Sequence, residues 1–413
     1  MMNLWRFLLP ILLLTAAAAS HAEGPLRAVQ VSVDGDPMAI PVISLDNPSD
    51  RIVISFDELS EDRRYMRYEL IHCDARWKPE GLVDSEFLDG FNVADVDDYS
   101  YSQATLVHYV HYRITIPNEQ MRITAAGNYI VRVYPEDDPD ETLLETRFSV
   151  CDFSMRVGAA VTSRTDIDTN ESHQQVDVTV DMRDINVRDP FTDLTVVVTQ
   201  NGRPDNEVIL TQPLRIAGDK VYFEHQRSLI FQAGNEYRRF ETVSTTYPGM
   251  NVDEIVYAAP IYNMVLATDY PRAGTSYLYD QTQNGRFFIR EYNAVDPDTE
   301  ADYTLNHFRL EMPELQGYDI FIDGDLTGRR MDPSSRMVYN RATGAYEASL
   351  LLKQGSYNYQ YLAVPAGSTR GSTAPVEGDF YPTVNEYTVK VYYRPPGTRY
   401  DRLVGVTTVK SGK

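Results

Sequence analysis

Seven histidines and two cysteines are the side chains from which a metal centre or a nucleophile would be assembled, so their spacing comes first. His108 and His111 stand three apart, a spacing that gathers two imidazoles on a helix but sends them to opposite faces of a strand. Their segment, His108-Tyr109-Val110-His111-Tyr112-Arg113, reads as a strand, so no shared zinc is expected. His72 and Cys73 are adjacent and diverge for the same reason, which removes a cysteine–histidine catalytic pair. Asp323-Gly324-Asp325-Leu326-Thr327-Gly328 reproduces the opening of a calcium loop, with side-chain oxygens at positions one, three and five and glycine at six. Ser334 stands where the loop needs a bidentate glutamate, and the flanks read as strands, so a plain turn accounts for the two glycines. The run Glu136-Asp137-Asp138-Pro139-Asp140-Glu141 could gather a divalent cation but has the composition of a solvated loop tip. No Gly-x-Ser-x-Gly elbow, phosphate-cradling loop or dinucleotide fingerprint occurs. We expect no catalytic residue, no metal and no cofactor. The enzymatic alternative is a hydrolase whose paired carboxylates meet only in space.

The remaining chemistry is charge. The 413 residues carry 60 acidic against 38 basic side chains, a net charge of −22. That repels a phosphate backbone, so no nucleic-acid partner is expected. From Thr388 onward the sign inverts: Lys390, Arg394, Arg399, Arg402, Lys410 and Lys413 stand against Asp401. Arg394, Arg399 and Arg402, around Pro395-Pro396-Gly397, are the expected contacts for an acidic partner surface, the alternative being a solvated basic tail.

Elements of period two must position these groups. Residues 1–22 read as a secretory signal, with Arg6 before an apolar stretch and Ser20-His21-Ala22 as the cleavage site, placing the mature start near Glu23. No later stretch is long and apolar enough to span a bilayer. Export puts Cys73 and Cys151 in an oxidising compartment, where they are free to pair as a disulfide. Alternation such as Ile52, Ile54 and Phe56 against Val53 and Ser55, with turn clusters every eight to twelve residues, predicts an all-β chain of tandem immunoglobulin-like or fibronectin-like sandwiches. Composition divides it into a first domain at 23–152, a second at 153–300, a third at 301–394 and a basic tail at 395–413. Asn201-Gly202 and Asn284-Gly285 predict hairpin turns, the latter joining 277–279 to 287–289. Single helical turns are expected near Asp84–Leu88 and Asn118–Met121.

In the third domain, Tyr357, Tyr359 and Tyr361 alternate onto one face of a hairpin strand. That hairpin is weakly similar to the aromatic hairpin of starch-binding immunoglobulin-like modules. A carbohydrate-binding periplasmic protein is therefore the alternative function, with glycan as its partner; the bland reading makes these tyrosines a core face.

Several longer motifs occur in order: Tyr68-Glu69-Leu70-Ile71-His72-Cys73-Asp74-Ala75-Arg76-Trp77, Glu86-Phe87-Leu88-Asp89-Gly90-Phe91-Asn92, the His108–Arg113 segment and Gly127-Asn128-Tyr129. They continue through Gly234-Asn235-Glu236-Tyr237-Arg238-Arg239-Phe240, the 296–303 segment Asp-Pro-Asp-Thr-Glu-Ala-Asp-Tyr, Leu351-Leu352-Lys353-Gln354-Gly355 and Tyr392-Tyr393-Arg394-Pro395-Pro396-Gly397. Together they resemble the type IX secretion system plug proteins over nearly the whole mature chain, with Arg76 and Cys151 as departures. The resemblance implies a non-catalytic periplasmic protein of a Bacteroidetes-type envelope, peripherally associated with the outer membrane. Its implied partner is the large outer-membrane β-barrel translocon, whose periplasmic mouth it would occlude when no cargo is crossing.

Overall fold

The computed structural model describes residues 26–412; the expected signal segment and the start at Glu23 lie outside the described residues. Strand makes up 47% of the chain and helix 4%, so sheet packing positions everything, and the all-β expectation holds.

The first strands are β1 (Leu26–Val33), β2 (Val42–Ser44), β3 (Ile52–Glu58), β4 (Met66–Cys73), β5 (Leu88–Gly90), β6 (Ala94–Asp95), β7 (Asp98–Tyr101), β8 (Val110–Ile116), β9 (Met121–Ile123), β10 (Gly127–Pro135) and β11 (Leu144–Cys151). Sheet β1-β3-β8-β7 packs on sheet β2-β11-β10-β4-β6, and β5-β9 forms a short pair beside them. The period-two pattern does what it promises: Ile52, Ile54 and Phe56 are buried while Val53 and Ser55 are only partly covered. Tyr129 stacks on Phe148 at 5.3 Å between ring centroids, and Phe56 on Tyr112 at 5.5 Å. A single 3-10 turn at Asp84–Glu86 falls where one helical turn is expected.

The chain continues through β12 (Arg156–Thr162), β13 (His173–Asp181), the one-turn α1 (Pro190–Asp193), β14 (Leu194–Gln200), β15 (Val208–Leu210), β16 (Arg215–Ala217), β17 (Lys220–Phe223) and β18 (Ile230–Gln232). Next come β19 (Arg238–Glu241), β20 (Val252–Ala258), β21 (Ile261–Leu266), β22 (Phe287–Ile289), the one-turn α2 (Pro297–Glu300), β23 (Tyr303–Glu311), β24 (Tyr318–Asp323), β25 (Val338–Asn340), β26 (Ala345–Lys353) and β27 (Gly355–Pro365). The last strands are β28 (Glu386–Tyr393) and β29 (Arg402–Lys410). A third-sandwich sheet β20-β21-β23-β26-β25 packs on β27 and its neighbours β19, β22 and β24.

The second sandwich is completed from the far end of the chain. Its sheets are β12-β13-β17-β16, with β18 added to β13, and β15-β14-β28-β29. β14 pairs with β28 from Leu194↔Tyr393 to Gln200↔Tyr387, and Val178, Val196, Phe223 and Phe231 share a core with Tyr387, Val389 and Val391. The pairing thus crosses the boundary expected at 300/301, and the expected tail at 395–413 contains a strand of this sandwich. Composition shows which face of a strand is buried but not which distant strand lies beside it. The hairpin expected between 277–279 and 287–289 is also absent, because β22 pairs with β27 instead. Asn284 and Gly285 still take positive φ, 53° and 89°, and a Cβ on Gly285 would meet Arg329 Nη2 at 2.6 Å.

Candidate functional site

The segments quoted from the sequence meet in space at the junctions between sandwiches. Between the first and third, the Asp57 carboxylate, fully buried on β3, accepts hydrogen bonds from Lys353 Nζ at 2.6 Å and Tyr303 OH at 2.8 Å, and lies 2.7 Å from His111 Nδ1. Lys353 Nζ also donates to the Asp298 carbonyl at 2.6 Å and sits 4.1 Å from the centroid of the Tyr109 ring. Asp302 accepts from the Leu106 and Val107 amides at 2.8 and 3.0 Å, and Tyr109 OH donates to the Ala301 carbonyl at 2.8 Å. Segments 108–113, 296–303 and 351–355 are thus one polar lock. Burial, then the charge of Asp57, drives the Tyr303 hydroxyl far above the ordinary tyrosine range, so it stays a donor. His108 is exposed and stands two residues before β8, while His111 is buried on it, so the strand is shorter than the sequence suggests and the two rings still do not meet.

Between the first and second sandwiches, segments 68–77, 127–129 and 392–397 meet. His72 Nδ1 lies 2.9 Å from Glu80 Oε2, and Arg394 binds Glu80 and also Asp401, the latter at 2.6 Å. Asp401 Oδ2 accepts from the Ala75 amide at 2.9 Å, and Tyr392 OH donates to Asn128 Oδ1 at 2.8 Å. A Cβ on Gly127 would stand 2.3 Å from His72 Nε2, which only glycine avoids. The three arginines expected to face a partner face this chain instead: Arg394 as described, Arg399 paired with Glu86, and Arg402 with Asp152 at 2.6 Å. Strand β29 cannot act as a detachable arm, so deleting residues 394–413 is expected to unfold the second sandwich rather than merely weaken docking in a salt-dependent way. Among point variants, Arg394→Ala, which strips buried Glu80 of its arginine, should lower the thermal midpoint more than Arg399→Ala, whose pair lies in solvent. Equal midpoints for the two variants would contradict this.

Cys73 and Cys151 are both free and buried. They lie on β4 and β11, on either side of β10. Two strand spacings amount to about 9–10 Å, beyond the roughly 7 Å that a disulfide bridges between Cα atoms. The pairing that the sequence left open is therefore not made, and burial pushes both thiols up to about 12.

In the third sandwich, fully buried Glu377 binds Arg238 Nε at 3.0 Å and Arg272 Nη2 at 2.5 Å, and accepts from the Tyr361 amide at 2.9 Å; two further pairs stand at its junction with the second sandwich. Arg203 pairs with Asp205 at 2.6 Å and Arg286 with Glu386 at 2.5 Å. The tyrosines of the expected glycan platform are core: Tyr357, Tyr359 and Tyr361 are 2%, 3% and 0% exposed. Tyr359 and Tyr361 hydroxyls both donate to Asp269. No ring face is left for a sugar. The calcium-like loop is closed by the chain's own cation, since Arg329 lies 2.7 Å from Asp325 and 3.7 Å from Asp323. No cluster of metal-ligating side chains occurs among the described residues.

Where the three sandwiches converge lies a cleft of about 770 Å³, walled by β1, β11, β26 and the 325–330 loop. Trp77 stands in its wall, with the Arg147 guanidinium 4.9 Å and the Lys390 ammonium 5.4 Å from its ring centroid. Burial lowers the Lys390 pKa to about 8, and burial raises that of Glu207 across the cleft. Sequence reasoning missed Asp57, Glu377 and this cluster. The one local signal was Lys353, a cation closing the apolar run Leu350–Leu352.

A model of the type 9 secretion system plug protein first domain matches residues 26–152, the extent of β1 to β11. The crystal structure of a hypothetical protein from Parabacteroides merdae ATCC 43184 superposes with a TM-score of 0.93 at 43% identity, covering 94% of this chain and 98% of that one. Two other solved structures align at low scores. The Pseudomonas fluorescens alkylpurine DNA glycosylase AlkC gives a TM-score of 0.17 at 14% identity over 33% of each chain. The Escherichia coli alpha-2-macroglobulin activated by porcine elastase gives 0.18 at 9% identity, covering 93% of this chain and 34% of that one. Neither carries an argument about fold or function. No curated protein matches the chain.

Proposed function

Because the chain belongs to the type IX secretion system plug protein family and carries that family's first domain over residues 26–152, we propose that it closes the periplasmic mouth of the system's outer-membrane barrel when no cargo is crossing. As a type IX secretion component it needs shape rather than turnover. The observation that supports a plug is that ion pairs on buried or nearly buried carboxylates cross all three junctions: Asp57 with Lys353, Glu80 with Arg394, and Glu386 with Arg286. Three sandwiches tied in this way form a body that resists being drawn into a pore. In this reading the protein is periplasmic, held at the outer membrane by its partner; no helix among the described residues is long and apolar enough to cross a membrane.

A persistent cap needs a contact larger than the roughly 1,600 Å² of an ordinary protein interface. The test is affinity purification of the tagged protein from detergent-solubilised envelopes after crosslinking. We expect one very large β-barrel protein at near-equal amount. Recovery of the protein without any membrane protein would overturn the plug reading.

A further inference from the structure

We propose that the central cleft is a binding site for an extended acidic peptide, added as a further strand along β11 with its carboxylates directed at Arg147 and Lys390. This goes beyond the plug reading and stands on different observations. The backbone supplies the first. β11 is paired with β10 from Leu144 to Val150, but on its other edge β2 covers only Ser149 to Cys151. The Ser149 amide donates to the Pro41 carbonyl on that edge. Strand alternation turns the amides and carbonyls of Arg147 and Glu145 the same way. No strand pairs with them there among the described residues, and both residues line the cleft. On the third sandwich, β25 pairs with β26 only over Ala345–Glu347, while Leu350 to Lys353 wall the cleft. An open strand edge inside a cleft is the geometry that an added strand uses, main-chain hydrogen bonds supplying affinity and side-chain pockets specificity.

Charge supplies the second observation. In a chain of net charge −22, neither Arg147 nor Lys390 has a carboxylate within 4.0 Å among the described residues. Lys390 Nζ instead donates to Ser149 Oγ at 2.9 Å, and both cations rest against the Trp77 ring. Of the acidic groups in the wall, Glu386 is held by Arg286 at 2.5 Å and Asp325 by Arg329 at 2.7 Å. That leaves Glu145 and Glu207 in the same wall as Arg147 and Lys390, while Arg330 is paired with Asp332 at 3.5 Å. Glu207 acts on both cations only from a distance, and a ligand that brings carboxylates gives the two cations on Trp77 direct ion pairs. A basic ligand meets repulsion from them. The volume lies within the roughly 300–1,000 Å³ of ligand-sized sites.

Trp77 is the reporter, since the only other tryptophan is Trp5 in the expected signal segment. The probe is a labelled octapeptide alternating glutamate and valine, followed by its fluorescence anisotropy and by Trp77 emission of the purified protein. We expect saturable binding that weakens with salt, no binding of the lysine–valine counterpart, and at least a tenfold loss in Arg147→Gln and Lys390→Met. The exposed Arg147 side makes Arg147→Gln the variant that keeps its fold if Lys390→Met does not. Methylating alternate amides of the peptide should abolish binding. Equal affinity for acidic and basic peptides, no effect of Arg147→Gln, or full affinity of the methylated peptide would each overturn the proposal. So would binding seen only after residues before Leu26 are removed, because the chain's own end would then fill the cleft. Recovery of the outer-membrane barrel with wild-type protein is read separately, so loss of one result leaves the other standing.

Discussion

Lys353→Met is expected to cost about 3–5 kcal/mol of unfolding free energy, the usual loss when one partner of a buried ion pair is removed. The Lys353 side chain is 1% exposed and Asp57 is fully buried, 2.6 Å apart. Without the ammonium, Asp57 keeps Tyr303 and His111 as neighbours but loses its counter-charge in a medium that does not solvate it. The Asp298 carbonyl loses its shorter donor as well and keeps the Tyr109 hydroxyl at 3.3 Å. The pair ties β3 of the first sandwich to β26 of the third, so the defect sits between bodies rather than inside one core. We therefore expect urea unfolding of the variant to separate into two transitions, one for each side of the junction, where the parent shows closer coupling. Two-state treatment then no longer applies, and two probes, Trp77 emission and far-UV dichroism, have to be followed together. Asp57→Asn combined with Lys353→Met should recover part of the loss, because no unpaired charge stays buried. A single-variant loss below about 1 kcal/mol would mean that water reaches this lock.

The alternation of Ile52, Ile54 and Phe56 carries enough information to place a strand and its buried face, because burial of every second side chain is a local property. The same logic assigns Tyr357, Tyr359 and Tyr361 to one face. It does not say whether that face looks to solvent or to core, and here it is core. Which strands become neighbours is decided by contacts between residues far apart in the chain. That is why β28 and β29, read as the end of one domain and a tail, close another sandwich. The arginines show the same limit from the side of charge. Arg394, Arg399 and Arg402 form a basic cluster in sequence, yet each is answered by a carboxylate from residues 80–152, and only the folded register brings those together. The quoted motifs were legible as motifs; their common role as junctions was not, since each lock combines segments from two sandwiches. The Cys73 and Cys151 thiols could be assigned a compartment from sequence but not a distance, and β10 between their strands settles the pairing.

Glu377→Gln is the second large effect, and its dependence on pH identifies the cause. Burial alone would raise the Glu377 pKa; Arg238 and Arg272, with the Tyr361 amide, more than reverse that and leave it below the ordinary 4.5 of a glutamate. A carboxyl held lower in the folded chain than in the unfolded one contributes stability that is fully present above the unfolded pKa and is lost as pH falls through the folded one. The parent and the glutamine variant should therefore differ most at neutral pH, by about 3–5 kcal/mol, and their stabilities should converge as the solution is acidified below the ordinary glutamate range. The neutral amide leaves two guanidiniums without their shared anion, one of them, Arg238, only 9% exposed. Arg238 retains Asp269 at 2.6 Å, so the third-sandwich core around Tyr359 and Tyr361 should stay folded while the 267–286 connection that carries Arg272 loosens. Urea titrations at several pH values, with proteolysis of the 267–286 connection as a second readout, test both parts. A constant difference between parent and variant across the acid range would assign the effect to lost packing rather than to the charge that Glu377 shares with Arg238 and Arg272.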